Sequence, residues 1–363
     1  MTSTITHLYN SLPNKDKPAL IVQETVTYFQ DEVFFRLAFE KEKRVSRLIE
    51  HFRGKPVQRV LFCDHFRNLA VDSPSMQVGV LDEDFFSLQD AADEDRKAAY
   101  LSGALVIVNN TEAGHRLDGY VRLFNRCVNT IFVMWDWDNH HWMSASAVLA
   151  VHSDLYVPTH RENLYALSRF NSVITEPVAA LSVQWSRKFL AQHHDLMQTR
   201  SRSSEPLGLH VMYPGFVYRN RVISTLNQKV PSIGFSTQQF HSRTAADRLE
   251  EWCGHKSHWI VPVLNDVPTR MFDALISGGI PIVPEALRFF EPIREIDRRH
   301  ILFYGPADIV APDAIATKAS AMFDQGGREK IMERHRYALA NLHGDKSIER
   351  ILAYAMEKFE IVP

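Results

Sequence analysis

Residues 130–144, TIFVMWDWDNHHWMS, place Trp135, Asp136, Trp137, Asp138, Asn139, His140, His141 and Trp142 directly after an apolar run. Indole rings cover the apolar C–H faces of a sugar while carboxylates accept its hydroxyl protons, so this cluster suits carbohydrate binding. Asp136, Asp138 and His141 are candidates for a general base or a nucleophile. Trp135 and Trp137, with His65 at the end of an earlier apolar run, are candidates for contact with a hydroxyl-bearing ligand. Other readings compete. The tryptophans could fill an interdomain core while the acids cap a helix. Asp-Trp-Asp has the spacing of a two-carboxylate metal motif. A mononuclear metal site could draw on Asp138, His140, His141 and His152, although no HExxH pair is present.

A second set of chemistry-bearing residues lies in SHWIVPVLNDVPTRMFDALISGGIPIVPE, 257–285. Pro268 and Thr269 suit a helix start, and Gly278-Gly279 suit its end before the strand IPIV. A helix that starts at a sheet's carboxyl edge turns unpaired N–H groups and a positive dipole end toward an anion. Arg270 and Asp273, three apart, share one helix face. The arginine can pair with phosphate oxygens and the aspartate can accept both hydrogen bonds of a ribose diol; the plain alternative is an ion pair on the surface. Upstream, HVMYPGFVYRNRVISTL (210–226) turns at Pro214-Gly215 and brings Arg219 and Arg221 to the start of an apolar helix, where either can meet a phosphate.

Those residues need elements to position them, and the chain supplies an alternation of strands and helices. VQRVLFC (57–63), LVIVNN (105–110) and TIFVMW (130–135) read as buried strands, and 34–53 reads as a helix stopped by Gly54 and Pro56. Beyond the Ser- and Arg-rich stretch 195–206 the rhythm restarts and runs to a final amphipathic helix carrying Ile348, Ile351, Leu352, Ala355, Met356 and Phe359. The alternation predicts an α/β fold with mostly parallel sheets, whose ligands bind beyond the strands' carboxyl ends. The division expected is 1–200 and 201–363, with the last helix a candidate to pack back on the first domain. Seven acids over 82–95 read as a solvated face.

Composition narrows the function further. The 363 residues are 45% hydrophobic and carry 41 basic against 43 acidic side chains, which excludes a disordered or fibrous chain and gives no electrostatic drive toward nucleic acid. Cys63, Cys127 and Cys253 have no zinc or disulfide spacing, a pattern that suits a reducing, cytoplasmic setting. No apolar stretch reaches the roughly 18 residues of a membrane span. Gly-x-Ser-x-Gly and P-loop motifs are missing, which weakens serine-hydrolase and NTPase readings.

The run PTRMFDALISGGIPIVPEAL resembles the donor-binding segment of GT-B glycosyltransferases, most closely the exostosin-like and bacterial surface-polysaccharide type. The resemblance is strong over about 30 residues and covers the rest of the C-terminal half by rhythm alone. It implies two Rossmann-like domains facing across a cleft, with catalysis independent of metal and no cofactor beyond the nucleotide-sugar donor. It implies that Asp273 anchors the ribose, that Arg270, Thr269 and the 215–221 loop (Gly215, Arg219, Arg221) hold phosphates, and that the N-terminal domain takes a glycan or lipid-linked acceptor, the latter by peripheral approach to a membrane. On this reading Asp273→Ala weakens donor binding and leaves the fold intact. Retaining members commonly show Glu-x7-Glu here; this chain has Asn265 at the first position and Asp266 beside it, so the stereochemistry stays open. A non-catalytic carbohydrate-binding protein of the same fold and a metal-dependent hydrolase built on 136–152 are the rival functions.

Overall fold

A computed structural model describes residues 32–57, 59–69, 77–137, 139–161, 164, 175–236, 243–264 and 266–362; the side chains of 32–38, 139–141, 143 and 144 lie outside the description. The chain forms two compact units, Met1–Ala179 with Ser347–Pro363, and Ala180–Lys346. The expected division at 200/201 falls inside the second unit, because 182–187 is hydrogen-bonded to residues of that unit: Ser182 to Asp273, and Arg187 to the carbonyl of Leu339.

The first unit carries β1 (Arg59–Phe62), β2 (Gln77–Val80), β3 (Leu105–Asn109), β4 (Ile131–Asp136) and β5 (Leu155–Pro158) in one sheet of order β2-β1-β3-β4-β5, every pair parallel. All residues of β3, β4 and β5 are buried. Such continuous apolar runs follow from helices covering both sheet faces. Those helices are α1 (Glu32–Phe52), α2 (Ala91–Leu101), α3 (Asn110–His115), α4 (Leu117–Arg126) and α5 (Asn139–Val151). Of the acids in 82–95, Asp90 caps α2 through Asp93 N–H, and Asp93 is buried against Lys97 at 3.1 Å. The final segment returns to this unit: Arg53 pairs with Glu360 at 2.6 Å, and Pro56 forms a parallel bridge with Val362.

The second unit opens with α6 (Arg187–Gln192) and α7 (His194–Thr199). It then alternates β6 (Gly208–His210), α8 (Val217–Asn227), β7 (Ile233–Phe235), α9 (Ala245–Cys253), β8 (Ser257–Trp259), α10 (Thr269–Ile276), β9 (Ile280–Pro284) and β10 (Leu302–Tyr304), and closes with α11 (Pro306–Val310), α12 (Asp313–Asp324), α13 (Gly327–Asn341) and α14 (Gly344–Lys358), which belongs to the first unit from Ser347. β6 pairs with β7, and β8, β9 and β10 pair in turn, all parallel. The parallel bridge Leu207↔His258, with Trp259 N–H on the Leu207 carbonyl at 2.7 Å, sets β6 beside β8. The order is then β7-β6-β8-β9-β10, the same doubly wound sequence as in the first unit. Both units are thus Rossmann-like, with parallel sheets and a change of direction beside the first strand. Val222, Ile223, Trp259, Ile282, Tyr304 and Phe323 form the core of the second sheet.

The predicted helix at Thr269 is present and ends where glycine permits. Gly278 takes φ +77°, and a Cβ there would lie 2.5 Å from Ile331 Cγ2. Two cations cap the same end: Arg202 donates to the Ser277 carbonyl at 2.7 Å and Arg334 to that of Gly278 at 2.8 Å. Gly278→Ala is expected to cost about 1–3 kcal/mol through backbone strain and the Ile331 contact. Urea unfolding checks this, and a change within about 0.5 kcal/mol would contradict it.

Candidate functional site

In a doubly wound sheet the strands on either side of the change in order diverge at their carboxyl ends and leave a crevice. In the second unit that point lies between β6 and β8, and there Val211, Ser236, Ile260, Arg243, Arg248 and Arg270 line a crevice with Glu251 and Trp252. It encloses about 30 Å³, room for about two water-sized groups, so one end of a ligand can enter while the rest stays outside. Three guanidinium groups face one carboxylate among its lining residues. Arg243 pairs with Glu251 at 2.8 Å, Arg248 donates to the Arg243 carbonyl at 2.7 Å, and Arg270 donates to the Leu209 carbonyl. Burial pulls the guanidinium pKa of both Arg248 and Arg270 below its ordinary value, an effect partly offset by the Asp273 charge. Asp247 and Asp273 add negative charge beside these cations, and the guanidinium groups are the crevice's means of pairing with an anion.

Two helices deliver these arginines. Thr244 and Asp247 form a reciprocal capping box at the start of α9, with Thr244 Oγ1 accepting from Asp247 N–H at 3.1 Å. Arg243 and Arg248 flank this start, where the helix dipole opposes positive charge. Cations set against a helix dipole are the signal in the sequence that marks them. Arg270 comes from the first turn of α10, beside Thr269 at its first position, which is half-buried.

The other donor-side residues separate by burial. Arg219 is buried and spans both strands of the crevice from below, donating to the carbonyls of Val211 at 2.7 Å and Val261 at 3.1 Å. Burial lowers its pKa to about 10, with Arg270 adding to the effect. It is a strut rather than a surface cation. Arg221 is exposed on α8 and Gly215 is exposed in the preceding turn.

Asp273, expected to anchor a ribose, is enclosed in the second unit. It has no exposed surface, and each carboxylate oxygen already accepts a hydrogen bond: Oδ1 from Ser182 Oγ at 2.6 Å, Oδ2 from the Gln184 amide. Burial pushes its pKa up to about 6 even though both bonds and the nearby Arg270 and Arg248 oppose that shift. A ribose diol would have to displace Ser182 and Gln184, which the carboxylate ties to α10.

In the first unit, Trp135 is wholly buried, stacked on Phe66 at 5.1 Å with Nε1 on the Val178 carbonyl at 2.8 Å. It is a core residue, because β4 is covered on both faces. Asp136 is likewise buried, accepting from Ser146 Oγ at 2.8 Å, while His152 holds the Val148 carbonyl at 3.1 Å. They do not form a common cluster. Asp138 lies outside the described residues, as does the side chain of His141. Among the described residues no group of three or more His, Cys, Asp and Glu is placed to hold a metal ion.

His65 and Trp137 do come together, at the β1/β3 change of order. His65 is exposed and meets the Trp137 ring edge-on at 4.9 Å, and its main-chain N–H donates to Glu112 Oε2 at 3.0 Å. Burial raises the Glu112 pKa, opposed by that N–H and by the Cys63 thiol.

Both sheets therefore define a two-unit α/β protein with candidate sites at their carboxyl edges. No known family profile matches the sequence, and no curated protein matches it. Among solved structures, it is similar to the wall teichoic acid polymerase TagF, solved with CDPG, at a TM-score of 0.32 and 9% identity over 96% of this chain and 98% of that one. That likeness is too remote to carry a function across. Among the described residues no helix is long and apolar enough to cross a membrane.

Proposed function

We propose that this chain is a glycosyltransferase that moves a sugar from a nucleotide-sugar donor to a hydroxyl acceptor, a glycan or lipid-linked glycan, in cytoplasmic synthesis of a surface polysaccharide, without a bound metal. The observation that carries the reading is the arginine-lined crevice at the β6/β8 change of order. A nucleotide-sugar reacts by loss of a phosphate-bearing leaving group, so cations fixed where that charge develops stabilise the transition state. Arg243, Arg248 and Arg270 are the residues for this task. Thr269 stands at the start of the same helix as Arg270, and Gly215 and Arg221, at the turn and helix after β6, are assigned to the remainder of the donor.

Nucleotides and nucleotide sugars of the UDP, GDP, CMP and TDP types provide the test, since a ligand of the native state raises Tm by mass action. One type is expected to do so. Arg243→Gln and Arg248→Gln should each weaken it roughly 10–100-fold, a charge-assisted hydrogen bond contributing about 1.5–3 kcal/mol. Unchanged affinity in both variants, or no response to any nucleotide, overturns the reading.

A further inference from the structure

Trp185 has almost no exposed surface, yet it lies against the helix that brings Arg248 to the crevice. Its indole N–H donates to the Ala245 carbonyl at 2.9 Å, and its ring meets that of Trp252 edge-on at 6.3 Å. Ala245 is the first residue of α9 and Trp252 lies seven further on, two turns along the same helix face. Arg248, three residues after Ala245, shares that face. A single buried side chain thus runs along the side of α9 that presents Arg248.

Such a tie matters because α9 is short. Nine residues are too few to hold a helix by its own hydrogen bonds, so packing must set where it starts and how far it is rotated. Its far end is held from the sheet, where the His258 ring of β8 stacks on Trp252 at 4.5 Å and 15°. Its beginning is held by Trp185. A carbonyl oxygen has two lone pairs, so the Ala245 carbonyl can take the indole as well as a helix N–H.

Trp185 is itself firmly mounted, by contacts that all lie in the second unit. Its carbonyl accepts from His343 Nε2–H at 2.8 Å. Ser182 N–H donates to the Leu342 carbonyl at 3.0 Å, and Gly344 N–H to the Ser182 carbonyl at 2.7 Å. Arg187 closes this clasp by pairing with Asp345 and donating to the Leu339 carbonyl at 2.6 Å.

We propose that Trp185 is a positioning residue of the arginine crevice: its indole N–H fixes the rotation of α9 and thereby the place at which Arg248 meets an anion. The role rests on the anion reading of the crevice and operates through Arg248 rather than on the ligand. A guanidinium pairs with phosphate oxygens through a rigid fork of donors, so a small rotation of its helix loses affinity while the charge stays.

Trp185→Phe keeps a ring beside Trp252 and removes the donor. Inorganic pyrophosphate, titrated into the full chain by calorimetry, should bind this variant roughly 3–10-fold more weakly, the fold-change of one neutral hydrogen bond. In an Arg248→Gln background the same substitution should change affinity by less than about twofold, because the group it positions is gone. Unchanged affinity in Trp185→Phe, or an equal loss in both backgrounds, overturns the proposal. Amide exchange supplies a reading without ligand. Residues 243–252 should exchange faster in Trp185→Phe while α13 keeps its rate; an equal rise in both segments marks a general loss of stability and counts against the role.

A third reading needs no substitution. With the indole 15N–1H signals of the parent assigned by triple-resonance spectroscopy, pyrophosphate should shift the Trp185 signal and leave that of Trp135, in the core of the first unit, in place. A Trp185 signal that stays put while the parent is saturated overturns this role and leaves the anion reading of the crevice standing. A parent that binds no pyrophosphate removes both.

Discussion

Replacing Arg44 by Ala is expected to destabilise the first unit by about 3–5 kcal/mol, because it leaves a carboxylate with no exposed surface and no counter-charge in direct contact. Arg44, on α1, binds Asp154 with Nε on Oδ1 at 2.7 Å and Nη2 on Oδ2 at 3.1 Å. The same guanidinium caps the carbonyls of Cys127 at 2.6 Å and Thr130 at 3.0 Å, and Phe132 N–H completes the shell of Asp154 at 2.9 Å. A single planar side chain thus ties a helix to the amino ends of β4 and β5. Lys41 lies close by on α1, donating to the Ala150 carbonyl, and its burial holds the ammonium well below its usual pKa, so it offers Asp154 weaker compensation. For a unit of this size the loss lowers Tm by on the order of 10 °C. Arg44→Met combined with Asp154→Leu removes both charges and should cost less than Arg44→Ala alone, since the desolvation penalty of the orphaned ion disappears. Urea unfolding of the parent and both variants decides it: an Arg44→Ala cost below about 1 kcal/mol, or a double variant worse than the single, refutes the account.

The same residues show what a sequence discloses and what it withholds. β3 and β4 were legible because LVIVN and IFVMWD are unbroken apolar runs, a signature of a sheet covered on both faces. That signature also buries Trp135 and Asp136. α10 was legible because Pro268 and Gly278 punctuate it chemically, Gly278 by its positive φ. Spacing put Arg270 and Asp273 on one face of α10 but could not say what that face meets. The partners of Asp273, Ser182 and Gln184, stand 91 and 89 residues away in the chain, and no local pattern joins them. The crevice arginines are similarly scattered over α9 and α10 and converge only because β6 and β8 are neighbours. Glu112 follows a buried strand in the sequence, but its hydrogen bond from the His65 main chain, 47 residues away, is a fact of three dimensions.

Asp273 therefore yields a prediction opposite to the one its motif suggests. Asp273→Ala should destabilise the second unit by roughly 3 kcal/mol, because the Ser182 hydroxyl and the Gln184 amide lose their acceptor in the core. Asp273→Asn should be tolerated. Its oxygen can accept from Ser182, and its amide can donate to Gln184 Oε1, which is buried without a hydrogen bond, once the Gln184 amide turns over. The acid's pKa of about 6 lies above its ordinary 3.8, so the native state binds the proton more tightly than the unfolded chain. The contribution of this group to stability is full below about pH 4 and is lost as pH rises through about 6. Asparagine has no such dependence. The difference between Asp273→Asn and the parent should then move in the variant's favour by roughly 2–3 kcal/mol between pH 4 and 7, two pK units at about 1.4 kcal/mol each. Taking that difference from unfolding curves cancels groups of opposite sign, such as Asp345, whose pKa the His343 and Arg187 bonds depress. If Asp273 instead anchored a ribose, Asp273→Ala would keep its Tm and lose nucleotide affinity. Thermal scans with and without nucleotide separate the two outcomes in one plate: a structural Asp273 lowers the Tm of both scans equally and leaves the ligand-induced increment in place.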